Sequence, residues 1–362
     1  MPEVKVTPQK IAELLTTRFL EEGSFASAGG PMSLQIRPST SLELPHTNFV
    51  GFGGLSVQSV GYVVEPKNTD TAQVHVYVSR GSKSMIGNLP KELLGITCSV
   101  HNIGKLHIKP RQASASTHSG NLYLNDERIA CGSSCAPSGK HYSGTFGAIL
   151  RGEDGTLFAL SNNHVFGDCN HTPIGQPILS PSSSDGRPNI RAPGEICRHS
   201  RIGELRSGAP ALVNPCKDDL AIAMITFPNS VSSWQGDGTD GYDTPSTLHP
   251  PRTDLIVKKF GRTTGFTRGI LESKQYRIHI PYDSDNFRSL VWFEGVWSIK
   301  SLDIEPFALP GDSGSLVVTD DGDSVVGVVF AVSSNGSRTF IVPAERISET
   351  FGNLEFVNGH NV

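Results

Sequence analysis

The chain has 362 residues, a formal net charge of −4, 37% hydrophobic and 18% charged residues, 38 glycines and 24 prolines. That composition excludes a helical bundle and a disordered chain and fits a turn-rich, strand-rich protein. Lysines and arginines are scattered and no apolar run reaches spanning length, so neither nucleic acid nor membrane is expected as a partner.

The N-terminal sequence MPEVKVTPQKIAELL lacks the apolar core and small-residue cleavage site of a secretory leader, which predicts a cytoplasmic protein. Lys10 to Glu22 place Ile11, Leu14, Leu15, Phe19 and Leu20 on one helical stripe, suited to packing on this chain or on a partner helix. A Gly/Ser/Pro-rich stretch from Ser24 to about Thr47 reads as linker, so residues 1–48 form a helix and its tether.

Residues 49–110 read as a small α/β accessory module. VGYVV and AQVHVYVS alternate like strands, LPKELLG suggests a short helical turn, and ITCSVHNIG a third strand. The module offers no pair of groups suited to chemistry, so support or docking of a regulatory partner is its expected work. Residues 111–130, including the low-complexity join Gln112 to Gly120, form a second linker.

From 131 to 350 short strands alternate with Gly/Pro turns, from TFGAILR through DDLAIAMITF and SLVWFEGVWSI to RTFIVPAERI. Many strands without intervening helical periods predict closed or folded-over sheets, here two small barrels packed face to face. The aromatic patch Trp292, Phe293 and Trp297 suits core filling better than a substrate groove. Residues 351–362 form a tail without a readable role. The six cysteines (98, 131, 135, 169, 197 and 216) are expected as free, mostly buried thiols. Cys131, Cys135, Cys169 and His171 have short chelating spacings, but no second tight pair completes a zinc pattern. No metal or organic cofactor is expected.

Three segments carry chemistry. In PGDSGSLVV, Gly311 and Gly314 flank Asp312 and Ser313 and permit a tight loop. Such a loop can aim the N–H groups of Gly311 and Ser313 into one oxyanion hole beside the Ser313 hydroxyl. A serine hydroxyl needs an adjacent base. His164, at the end of the apolar strand in LFALSNNHVF, is suited to that work. In KDDLAIAMI an acid precedes an alternating strand and can orient the imidazole; Asp219 is preferred and Asp218 is the alternative. Asp168 and Asp185 lie too near His164 in a loop context to be preferred. KKFGRTTGFTRG lacks the ending of a phosphate-binding loop and reads as structural support, with Gly265 and Gly269 permitting close packing beside the serine loop.

The segments NNHVF, DDLAIA and GDSGSLVV, in the order His, Asp, Ser, resemble the trypsin/chymotrypsin superfamily of serine peptidases. SNNHVF with KKFGRTTGFTRG is similar to a trypsin-like group found in bacteria and some plants and fungi. The resemblance spans roughly residues 140 to 345. It implies a mainly β, two-barrel chymotrypsin-like fold and a serine endopeptidase acting on protein or peptide substrates through an acyl-enzyme. The family's more familiar histidine segment has alanines before and a cysteine after the histidine; here Asn162, Asn163 and Val165 stand there. The resemblance puts Phe307 at the base of the specificity pocket and Phe330, Ala331 and Val332 along its wall, which implies a small or aliphatic P1 residue. The competing expectation is a latent enzyme or pseudoprotease that uses its sheets as a protein-binding module.

Overall fold

The computed structural model describes residues 6–21, 56–64, 72–80, 86, 90–108, 121–186, 192–208, 213–238 and 241–362. Ser24 to Thr47 and the join Gln112 to Gly120 lie outside them.

Helix α1 (Pro8–Thr16) begins with Pro8 in its first turn, where a missing N–H costs no hydrogen bond, and Thr7 Oγ1 accepts from the Lys10 N–H at 3.3 Å. A π-helical turn, Thr17–Glu21, continues it. Ile11, Leu14, Leu15 and Leu20 are buried with Phe19 half-buried beside them, so the predicted stripe packs on this chain's own strands. Complete burial of Ile11 and Leu15 stabilises the contact by about 1.5–3 kcal/mol for each side chain.

The accessory region supplies strands β1 (Val57–Tyr62), β2 (Gln73–Val78), β3 (Glu92–Leu93), β4 (Ile96–Asn102) and β5 (Leu106–His107). LPKELLG does not form the expected helical turn. Glu92 and Leu93 pair back on Thr97 and Ile96 across Leu94 and Gly95, whose φ values are 50° and 79°. Two successive left-handed residues make a tight hairpin turn and cannot sit in a helix.

The central part contributes β6 (Leu124–Asn125), β7 (Arg128–Cys131), β8 (Ser134–Pro137), β9 (Gly144–Thr145), β10 (Ala148–Gly152), β11 (Leu157–Asn162), β12 (Pro177–Ser180), β13 (Gly194–Ile202) and β14 (Leu220–Ile225). Then come β15 (Val231–Gln235), β16 (Tyr242–Asp243), β17 (Thr247–Leu248), β18 (Ile256–Lys259), β19 (Thr267–Asp283), β20 (Arg288–Phe293) and β21 (Trp297–Ser301). The chain ends with β22 (Leu316–Thr319), β23 (Ser324–Ser333), β24 (Thr339–Pro343), helix α2 (Glu345–Phe351) and β25 (Leu354–Phe356). No helix among the described residues is long and apolar enough to cross a membrane.

Strands β18, β22, β23, β24, β21 and β19 pair in that order, and β19 pairs back on β18, closing a six-stranded barrel. Each strand sends apolar side chains to one interior cluster: Val257, Leu271, Ile299, Val317, Val329 and Ile341. The 17-residue β19 extends beyond this ring and pairs antiparallel with β1, so β1, β2 and β4 continue the barrel's sheet.

The second barrel expected from the sequence does not close. Its strands form an eight-stranded sheet in the order β25, β10, β11, β14, β13, β12, β8, β9. Leu354 to Phe356, expected as tail, pair with Gly152 to Leu150 and form one edge of this sheet, with β9 at the other. The sheet still wraps one core, with Cys135, Ile149, Ala159, Ile178, Cys197 and Ala223 in contact. A third cluster joins the two sheets, bringing Leu150, Leu160 and Ile222 against Leu316, Val328 and Phe340. Trp292, Phe293 and Trp297 are buried in three different clusters and fill core.

Candidate active site

His164 lies in a π-helical turn, Asn163–Gly167, directly after β11. The turn is followed by three residues with positive φ, Asp168, Cys169 and Asn170, a run that L-residues adopt only when surroundings hold them. Asn163 supplies the hold: its Nδ2 donates to Asn170 Oδ1 at 2.6 Å and to Gly203 O at 2.8 Å, and its Oδ1 accepts from Asn170 N at 2.9 Å.

Asp219 stands just before β14, which pairs with β11 and so brings the acid beside the histidine turn. His164 Nδ1 lies 2.5 Å from Asp219 Oδ2, and the His164 backbone N–H donates to Oδ1 at 3.1 Å. The Asp219 carbonyl accepts from Asn162 Nδ2 and Asn163 N at 2.9 and 3.0 Å. Asp218 turns away: its oxygens accept from Leu220 N and Thr350 Oγ1 at 3.1 and 2.8 Å. With Nδ1 engaged as a donor to a carboxylate, Nε2 is left as the acceptor of a neutral imidazole. Nε2 is buried and makes no hydrogen bond among the described residues. Asp168 is committed elsewhere, to Lys140 at 2.6 Å and Asn286 at 3.0 Å.

Ser313 sits in the loop before β22, between two glycines that the geometry demands. Gly311 and Gly314 have φ of 105° and 96°, and a Cβ at Gly311 would strike Thr263 Oγ1 while one at Gly314 would strike Ser161 Oγ and Thr145 O. The loop is tied to the other sheet by Thr145, whose N–H donates to Ser313 O at 2.8 Å and whose hydroxyl donates to Gly311 O at 2.9 Å. Ser161, three residues before His164, donates to Thr145 O at 2.8 Å. These contacts set the serine loop against the end of β11. The N–H groups of Asp312, Gly314 and Ser315 donate to backbone oxygens, whereas those of Gly311 and Ser313 make no hydrogen bond among the described residues.

The FGRTTG segment buttresses this loop through Asp312, but the glycine packed against the loop is Gly261, where a Cβ would strike Asp312 Oδ1 and Ser315 Oγ. Gly265 instead faces Tyr123 and Asn121, and Gly269 faces Ile299 and Phe307. Asp312 accepts from Thr263 N at 2.7 Å, Thr264 N at 3.1 Å, Thr264 Oγ1 at 2.8 Å and Leu309 N at 2.9 Å. Lys259 is fully buried beneath, donating to Thr264 Oγ1 and Gly265 O at 2.5 and 3.0 Å. Burial lowers its ammonium pKa, and the nearby Asp312 carboxylate opposes the shift. Arg262 crosses to the eight-stranded sheet, where its Nε donates to Asp185 Oδ2 at 2.8 Å and its Nη2 pairs with Oδ1. Asp185 also accepts from Ser134 and Ser182 hydroxyls, so this buried pair is hydrogen-bonded on both sides. The pairs Arg262–Asp185 and Lys259–Asp312 have no sequence signature, because each joins residues far apart in the chain.

The residues assigned to a pocket are all buried. Phe307 and Val332 belong to the barrel core; Phe330, tilted on Phe293 at 5.1 Å, and Ala331 belong to the cluster between the sheets. One edge of β23 is shared in sequence: β22 pairs with Val325 to Val328, the serine loop bonds Val329, and β5 pairs with Val332 and Ser333.

The six cysteines are buried and free. Burial raises the thiols of Cys131, Cys135, Cys169 and Cys197, and Cys131, Cys135, Cys169 and His171 do not gather their ligand atoms into one group among the described residues. A different set, His75, His101 and Glu272, has ligand atoms within 4.8 Å of one another. Its carboxylate is already occupied: Arg338 donates to both oxygens at 2.7 Å and Tyr77 to one at 2.6 Å.

No protein-family model matches the sequence, and no curated protein matches it. Solved structures do. Thermobifida fusca protease A is 18% identical, with 64% of this chain and 100% of that one aligned at a TM-score of 0.42. Nocardiopsis protease is 15% identical (63% and 97% covered, TM-score 0.43), and Cellulomonas bogoriensis chymotrypsin 14% (63% and 97%, TM-score 0.40). At that level of overlap the reading of the site rests on its own contacts.

Proposed function

We propose that the chain is a serine endopeptidase, related to the trypsin/chymotrypsin enzymes but with only one of its barrels closed. The peptidase unit would be residues 131–350, with the N-terminal strands and helix as its accessory region. The observation that carries the proposal is the buried His164–Asp219 pair, 2.5 Å apart, at the end of the strand to which Thr145 and Ser161 tie the glycine-framed serine loop.

In the proposed reaction, Ser313 Oγ bonds to a peptide carbonyl carbon as its proton passes to His164 Nε2. The N–H groups of Gly311 and Ser313 take the oxyanion. His164 returns the proton to the leaving amine, the C–N bond breaks, and an acyl-enzyme remains. Water then attacks the ester with His164 again as base, releasing the acid and restoring the hydroxyl. A small or aliphatic P1 side chain is the proposed preference, because Phe307, Phe330, Ala331 and Val332 bring no charged group, although all four pack into the barrel and inter-sheet cores. A charged P1 group would lose several kcal/mol of solvation with no partner to return it. The proposed setting is the cytoplasm, in keeping with buried, free thiols.

A latent or binding-only protein is the second reading. It is favoured by the lack of a hydrogen bond on Nε2 and by β5 pairing along the β23 edge next to the serine loop. Intact mass after treatment with a small fluorophosphonate separates the two. The enzyme reading expects one adduct on the native chain, none on Ser313→Ala and a strongly slowed reaction on His164→Ala. A folded native chain without an adduct sinks it in favour of the latent reading.

A further inference from the structure

Asp219 Oδ2 takes two donors. One is the His164 ring; the other is the hydroxyl of Tyr282, which donates to it at 2.8 Å. Tyr282 comes from the far end of β19, a strand of the closed barrel, so its side chain reaches out of one sheet to a histidine–carboxylate pair carried by the other.

We infer that Tyr282 is a positioning residue for His164, acting through Asp219: its hydroxyl holds the carboxylate face to Nδ1 and limits how strongly Oδ2 draws on the imidazole proton. The inference rests on the serine-peptidase reading above.

Its geometry leaves little freedom. Tyr282 is 1% exposed, and its ring meets that of His164 edge-on, with centroids 6.3 Å apart and planes at 85°. Phe287 and Phe293 fix the ring, each with a centroid 6.0 Å away. An ionised carboxylate has about four acceptor positions, and the two His164 donors leave room for the phenol. Burial and the Asp219 charge push the Tyr282 phenol well above its ordinary range, so it remains a donor wherever the histidine titrates.

The other titratable neighbours do not duplicate this contact. The Cys169 and Cys216 thiols near Asp219 are raised by burial and stay neutral. Asp218 is held by Leu220 and Thr350, and Asp168 by Lys140 and Asn286.

Two donors on one oxygen share its electron density. With the phenol gone, Oδ2 accepts more strongly from the ring and the charge on Asp219 draws more on the imidazole proton. The carboxylate also gains freedom to rotate away from Nδ1. The histidine is then a base over a narrower pH range and is less well aligned.

The test is the pH profile of kcat/KM for the full chain on a peptide ester, normalised by fluorophosphonate titration of active sites. His164 is also titrated directly by NMR of its ring carbons. In Tyr282→Phe the acid limb and the NMR midpoint should both move up by about half to one pH unit. The plateau kcat should fall about 3- to 30-fold with KM little changed. Replacing Tyr282 with 3-fluorotyrosine, which keeps the shape and is a stronger donor, should move both midpoints down. Opposite shifts from the two variants are what space-filling alone cannot produce. If both leave the midpoints in place while the native chain turns over, Tyr282 only fills space and this inference falls alone. A native chain with neither turnover nor adduct overturns the serine-peptidase reading and the inference with it.

Discussion

Strand β19 serves two buried polar clusters, one at each end, and they are built from similar parts. At one end Glu272 meets Arg338, Tyr77, His75 and His101; at the other Tyr282 meets Asp219 and His164. Each has a carboxylate, a tyrosine hydroxyl and an imidazole. In the first, both carboxylate oxygens are taken by a guanidinium and the histidines bond each other at 3.0 Å. In the second, the acid is equally well satisfied but the histidine keeps one nitrogen unshared. The difference lies in what faces the acid: Glu272 has a guanidinium on both oxygens, whereas the ionic partner of Asp219 is the His164 ring itself.

The sharpest way to break the comparison is at Asp219. Asp219→Asn should lower kcat by about 10⁴-fold, because an amide can present its N–H to Nδ1 and impose the wrong tautomer. Steady-state kinetics on a peptide ester check it, and a loss below tenfold would deny Asp219 its orienting role. The complementary change is Glu272→Gln, which should leave kcat nearly untouched while stability drops toward the lower end of about 3–5 kcal/mol, the cost of stranding a buried charge. Urea unfolding reads this, and a large loss of activity in folded protein would make that cluster functional too.

Acid titration separates the clusters more finely. Glu272 is partly desolvated, but the Arg338 guanidinium holds its carboxyl down to about 2, from an ordinary 4.5. A depressed carboxyl stabilises the fold above its unfolded value, so that stability should drain away between about pH 4.5 and 2. His101 is lowered to about 4 from 6.5, mainly by burial, with the Glu272 charge opposing. The unfolded chain protonates this histidine first, so its contribution is present above pH 6.5 and lost as pH falls toward about 4. His101→Gln should therefore flatten the stability slope between those limits, a smaller effect read from urea midpoints across pH. An unchanged slope would place the titration elsewhere, with His279, also lowered to about 4 by burial, as the next group to replace.

The sequence announces whatever is local. Alternating apolar runs mark the barrel strands, and Gly311 and Gly314 mark a loop whose positive φ values require them. The contact between His164 and Asp219 follows from two strand ends that pair, β11 with β14. Between the adjacent acids the sequence favours Asp219 over Asp218, but what holds Asp218 away involves Thr350, a helix residue more than a hundred positions on, which no local pattern shows. Tyr282 was hidden for the same reason, lying inside an alternating strand where nothing marks its hydroxyl. LPKELLG misled through good helix formers, since the left-handed turn at Leu94–Gly95 overrode propensity. The open second sheet was not legible in part because its edge strand β25 lies in a stretch with no strong strand pattern.

The strand β5 has a consequence for whatever binds beside Ser313. It is tethered to the edge that it covers at Val332 and Ser333, so it is present there at an effective concentration on the order of millimolar, independent of how dilute the protein is. Since β22 and the serine loop hold Val325 to Val329, only Phe330 and Ala331 lie between them and β5 on this edge. A peptide that runs on toward Ser333 must displace the protein's own chain, so reach as well as side-chain chemistry decides which peptides are held.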